Sequence, residues 1–200
     1  MERIKALGGK ISPVEGATLR QFLGAVKFDT VLYPKPLDLP WARAHEREPI
    51  IGIGEFVERH RDLYRSDKER FRATIIEHYF QLTEEGRGQV FFKNELFTPF
   101  KEGTGDYEEW NGEWEPEAFR EVIVGDAMEL MFIGYSYGFP DHLFVCLTDP
   151  NPDNPVVYGT DHEVYFDDIS RQGTLREFFD SFLTPVELIE LIERGLDSRS

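Results

Sequence analysis

Cysteine is nearly absent from this 200-residue chain: Cys146 stands alone, which excludes an internal disulfide and matches a reducing compartment. It lies in the apolar run 143–147 and is expected to pack as a small hydrophobe. Long apolar stretches are missing too. None approaches the roughly 18 residues that a membrane span requires, and the opening MERIKALGGKISP lacks the continuous apolar core of a signal peptide. The expectation is a cytoplasmic protein. Positive charge is scarce, with 22 basic against 38 acidic residues and a net charge of −16. Such a surface repels phosphate backbones and anionic membranes, so direct nucleic-acid or membrane binding is disfavoured, whereas basic partners are attracted at low salt. Regular βαβ alternation and internal repeats are also missing, which argues against a doubly wound parallel sheet.

What the chain does hold is core material. Hydrophobic residues make up 40% and aromatics 14%, enough to exclude global disorder, and most of the 17 phenylalanines fall in strand-like or amphipathic segments. Ser12-Pro13-Val14-Glu15 has capping-box spacing, and the apolar positions after it predict a helix over 13–27. Four prolines between 32 and 49 exclude regular structure for much of that segment, with Trp41 as its anchor to the core. GEFVERHRDLY reads as a short helix. Ser66-Asp67-Lys68-Glu69 opens a further helix that carries Phe71, Ile75, Ile76, Tyr79, Phe80 and Leu82, with Gly86 as its stop.

Strands are expected at 89–97, within 121–133 around a Gly125-Asp126 turn, at 143–147, and in short pieces at 156–158 and 164–166. Thr174-Leu175-Arg176-Glu177 and Thr184-Pro185-Val186-Glu187 open two closing helices, with Leu175, Phe178, Phe179, Phe182 and Leu183 on the buried face of the first. Helices first, hairpin-connected strands next and helices last imply one α+β domain with a central, mostly antiparallel sheet flanked by helices. Residues 1–88 form its mainly helical part, and 89–200 form the sheet and the closing helices.

Chemical motifs are weak. Gly134-Tyr135-Ser136-Tyr137-Gly138 has the spacing of a nucleophile elbow, with Asp149 or Asp161 and then His162 downstream. An elbow needs a helix directly after the serine, and the sequence here continues into another strand. The segment 149–154, DPNPDN, begins like a calcium loop but lacks the glycine at position six and the glutamate at position twelve. Asx hydrogen bonds within a rigid turn explain it more simply. His142, Asp161, His162 and Glu163 could converge, yet without zinc-ligand spacing on a helix. No cofactor, metal or catalytic residue is therefore assigned.

The clearest binding candidate is KEGTGDYEEWNGEWEPE, residues 101–117, read as an acidic loop. Its partner-binding candidates are Tyr107, Glu108, Glu109, Trp110, Glu113 and Trp114: aromatic area for contact, with carboxylates to steer a basic protein. The alternative is that the tryptophans fold back on the sheet while the carboxylates solvate the loop.

Over roughly the last 70 residues the order of segments resembles the SUKH superfamily, the Smi/Knr-type domains. The resemblance rests on Phe132-Ile133-Gly134-Tyr135-Ser136-Tyr137-Gly138, the strand 143–149, Val156-Val157-Tyr158 with Asp161-His162-Glu163, and the closing TLREFFDSFL. The first half lacks the family's Leu-Pro-x-x-Tyr helix and its Asn-Gly-Gly turn. The resemblance implies a compact α+β fold and a non-catalytic, protein-binding role. That role is most often an immunity protein covering a bacterial toxin, with a basic nuclease as the partner an acidic chain would suit. The rival readings are a small serine hydrolase using Ser136 with His162, and a regulatory scaffold contacting partners through the Trp41 loop.

Overall fold

The computed structural model describes residues 1–12, 15–35, 52–81, 90–110, 112, 116–125, 129–136 and 141–197. In chain order these form α1 (Glu2–Ala6), β1 (Gly9–Ile11), α2 (Leu19–Gly24), β2 (Val26–Phe28), β3 (Tyr33–Pro34), α3 (Ile53–Arg59), α4 (Arg61–Ser66) and α5 (Lys68–Tyr79). Then follow β4 (Val90–Phe97), α6 (Gly105–Trp110), α7 (Pro116–Val122), β5 (Leu130–Ser136), β6 (His142–Cys146), β7 (Val156–Asp161), β8 (Tyr165–Thr174), α8 (Leu175–Asp180), β9 (Phe182–Leu183) and α9 (Pro185–Asp197).

The fold is α+β, as the order of segments predicts. Its centre is a five-stranded antiparallel meander, β4-β5-β6-β7-β8. Strand alternation sends successive side chains to opposite faces. Met131, Ile133, Val145 and Val157 join Ile4, Leu7, Leu19, Leu23, Leu175, Phe178 and Phe179, so α1, α2 and α8 cover one face. Leu130, Phe132, Phe144, Cys146 and Tyr158 join Phe97, Phe119, Ile123 and Phe166, so α7 and its flank cover the other. Cys146 is fully buried, as its apolar neighbours predict. A third cluster lies among α3, α4, α5 and α9, around Phe56, Phe71, Ile75, Tyr79, Leu188 and Ile192. Arg72 of α5 grips Glu193 of α9 with two hydrogen bonds. Early residues thus serve two cores: described residues within 4–28 and Leu32 pack on the sheet, while Val31, Tyr33 and α3 to α5 pack on the closing helix. Among the described residues no helix is long and apolar enough to cross a membrane.

Several local expectations need correction. The helix expected over 13–27 is α2, capped by Thr18, whose hydroxyl accepts from the Gln21 amide while the Gln21 side chain returns to Thr18. Helix α1, which precedes it, has no counterpart among the expected elements. Glu15 and Gly16 form a turn and Val26 a strand, so helix 13–27 shrinks to six residues, with Pro13 and Val14 outside the described part. The expected short helix at 54–64 is two helices, α3 and α4, which meet at His60. In the next helix Asp67, not Ser66, accepts from the Arg70 amide; Leu82 and Gly86 lie outside the described residues. Residues 116–122 are helical rather than loop followed by strand, because Phe119 and Ile123 at helical spacing bury one face on the aromatic side of the sheet. Strand β8 runs for ten residues, not three, and Phe182-Leu183 leave the helix to pair with Tyr33-Pro34. The anchor proposed at Trp41 lies outside the described residues.

Both closing caps form as their spacing predicts. Thr174 accepts from the Glu177 amide, and the Glu177 carboxylate accepts from the Thr174 amide at 2.8 Å. Thr184 and Glu187 repeat the arrangement at the start of α9. Substituting Thr174 by Ala is expected to cost about 1 kcal/mol of stability, read as a lower urea midpoint at unchanged slope. An unchanged midpoint would mean that the cap contributes nothing to α8.

Candidate functional site

Two surfaces present chemistry. The first is the acidic aromatic segment. Thr104 caps α6 by accepting from the Tyr107 amide, and the Asp106 carboxylate accepts from the Thr98 amide at 2.8 Å, tying the helix to the end of β4. Asp106 is therefore held inward rather than offered to a partner. Trp110 is half-buried against the aromatic cluster beneath α7, Tyr107 is half-buried, and Glu108 and Glu109 are exposed. The structure thus gathers Tyr107, Glu108, Glu109 and Trp110 on one short helix. Glu113 and Trp114 lie outside the described residues.

The second surface is a cleft of about 320 Å³ on the sheet, lined by residues that include Ser136, Asp141, Leu143, Asp161, Asp168 and Ser170. Its residues come from four strands: Ser136 ends β5, Asp141 precedes β6, Asp161 ends β7, and Asp168 and Ser170 belong to β8. Among the described residues no lysine or arginine lines it. At its rim Asp141 Oδ1 accepts from the His162 backbone amide at 3.0 Å and faces His162 Nδ1 at 2.7 Å. This contact staples the entry of β6 to the β7–β8 turn. The hydrogen bond to Asp141 raises the His162 pKa above its ordinary 6.5; partial desolvation opposes it, and the charges of Asp161, Asp141 and Glu163 reinforce it. Asp161 Oδ1 accepts from the Glu163 amide at 2.7 Å.

The grouping expected from sequence changes here. Asp141, Asp161 and His162 bring candidate ligand atoms within 4.8 Å of one another. His142 instead lies against the Phe132 ring at 4.9 Å. Burial, and then the Lys93 charge, push the His142 pKa below 6.5 against the smaller pull of Asp141 and Glu95. Asp141 and Asp168 had no sequence signal beyond being acidic. Only the hairpin register brings them to one cleft.

Two further motifs resolve structurally. Asp149 is buried, and its carboxylate accepts from the Asn151 amide at 2.8 Å and the Val156 amide at 3.0 Å, the Asx arrangement its spacing suggests. Ser136 is the last residue of β5; its backbone N–H donates to the Asp141 carbonyl at 3.2 Å, and the next described element is strand β6, not a helix. Tyr137 and Gly138 lie outside the described residues. No family model, no curated protein and no solved structure matches the chain.

Proposed function

We propose that this chain is a non-catalytic protein-binding module for a basic partner, acting as an immunity protein acts when it covers the surface of a toxin. The observation that carries the reading is the cleft. A chain of net charge −16 gathers Asp141, Asp161 and Asp168 around it, with no lysine or arginine among the described residues of its lining. Exposed Glu108 and Glu109 on α6, at the opposite end of the sheet, add to the same sign of overall charge. Complementary fields of this kind speed encounter and select partner sign. The SUKH resemblance of the C-terminal segments supports the immunity role and a cytoplasmic setting, and a basic nuclease is the partner class that fits both. Titration calorimetry against basic proteins encoded beside the gene tests the reading. The expected result is one tight complex whose affinity falls about tenfold or more between 50 and 300 mM salt, since charge complementarity is screened over a Debye length of roughly 10 Å or less. Binding to none of them would sink it.

One observation favours a second reading. Asp141 faces His162 Nδ1 as the orienting carboxylate of a serine-hydrolase triad faces its base, and Ser136 lines the same cleft as Asp141. A fluorophosphonate probe separates the two readings. The binding module predicts no labelling of Ser136, and labelling that disappears in Ser136→Ala would establish a hydrolase.

A further inference from the structure

Resting on the protein-binding reading above, we infer that the outer edge of β8 and the adjoining cleft form one docking surface, which receives an extended segment bearing lysine or arginine as an added strand.

Strand β8 closes one side of the sheet order, and among the described residues no strand pairs with its outer edge. Edge strands present a row of backbone donors and acceptors, and proteins ordinarily blunt them by shortness, proline or lysine. This one spans ten residues, YFDDISRQGT, without a proline or a lysine; its register on β7 shifts at two places, and the regular ladder runs over 169–171. Asp167, Asp168, Ser170, Arg171 and Gln172 are all exposed.

Over 168–172 alternation divides its side chains. Ile169 packs toward the aromatic layer, and Arg171 donates to the Val122 carbonyl of α7 at 3.2 Å. Asp168, Ser170 and Gln172 line the cleft on the opposite face. An added strand would lie about 4.8 Å beyond β8, and alternate side chains would fall on the cleft face. From there a lysine or arginine reaches Asp168 directly and Asp161 across β8, with its aliphatic stem directed toward Leu143. Main-chain pairing supplies affinity in this mode, and the side-chain pockets supply specificity. A second copy of this chain is the wrong occupant, because each copy carries a net charge of −16 and the one cationic side chain of β8, Arg171, is turned to the Val122 carbonyl on the face away from the cleft.

The test uses the full chain and two synthetic octapeptides, one alternating Lys and Val and the other Glu and Val, followed by hydrogen exchange and calorimetry. The Lys-Val peptide is expected to slow exchange of the β8 amides, and the Glu-Val peptide is not. Asp161→Asn with Asp168→Asn should weaken the Lys-Val peptide about five- to tenfold, as loss of two partly screened charge contacts implies. Both Asn substitutions leave the backbone donors of β8 intact, so in a variant that circular dichroism shows to be folded, an unchanged affinity for the Lys-Val peptide would also overturn the proposal. Protection on α6 or α7 instead of β8, equal binding of both peptides, or self-association protecting the same amides would each overturn the proposal. A cognate toxin that binds tightly while protecting other elements would leave the binding function standing and remove only this surface.

Discussion

Phe144→Ala is expected to lower stability by about 3–5 kcal/mol, the usual cost of truncating a buried aromatic side chain to alanine. Phe144 is fully buried in β6, the middle strand of the sheet. Its ring centroid lies 5.6 Å from Tyr158, 5.7 Å from Phe166, 6.2 Å from Phe119 and 6.3 Å from Phe132. These contacts join three strands to α7, so the cavity left by alanine cannot close by moving a single element. Typical domains hold only about 5–15 kcal/mol in all, so the variant should sit near the edge of folding at 37 °C. Phe144→Leu, which keeps most of the volume, should lose less than about 2 kcal/mol. Urea unfolding followed by circular dichroism measures both. A loss below about 1 kcal/mol for the alanine variant would mean that this layer is not packed as described.

Acidification from pH 5 to pH 2 should remove the stabilisation that Glu187 on α9 provides. Its side chain accepts two hydrogen bonds from the Arg3 guanidinium, at 3.0 and 3.1 Å, and lies 3.5 Å from Lys35 Nζ. Burial pushes its pKa up. The Arg3 hydrogen bonds, the Thr184 amide and the charges of Arg3 and Lys35 together outweigh that and bring it down from 4.5 to about 2. A carboxylate whose folded pKa is depressed stabilises the fold above its unfolded pKa and loses that contribution as pH falls through the folded one. The window therefore runs from about 4.5 down to about 2. Taken at face value the shift amounts to roughly 3 kcal/mol; the side chain is 36% exposed, and solvent screening reduces this to about 1–2 kcal/mol.

Arg3→Ala goes further. It strips Glu187 of its bidentate partner and removes the donor to the Phe179 and Phe182 carbonyls, so about 2–3 kcal/mol should be lost at pH 7. Glu187→Gln should flatten the stability profile between pH 5 and 2. An unchanged profile in that variant would assign acid sensitivity to other carboxylates.

Some of this was legible from residue order. The caps at Thr174 and Thr184 depend on residues three apart, and the Asp149 turn on residues within seven, so spacing alone exposes them. Strands β4 and β6 are short apolar runs flanked by turn signals. The α+β class follows from the order of such segments. The misreadings fall where local pattern is ambiguous and packing decides. Residues 116–122 carry no strong helical period, and the helix is set by what Phe119 meets on the sheet. The polar stretch 167–173 does not look like a strand, and only pairing with β7 makes it one.

The sequence by itself determined the charge, the single thiol in its apolar run, the caps at Thr174 and Thr184 and the fold class, because these depend on composition, on neighbours within one turn or on the order of segments. Tertiary structure alone decided that Arg3 meets Glu187 across 184 positions and that Asp141 meets His162 across 21. It also decided which face of β8 carries Asp168. Such contacts are set by strand register and by how helices settle on a sheet. A one-residue slip in register would send every side chain of a strand to the opposite face.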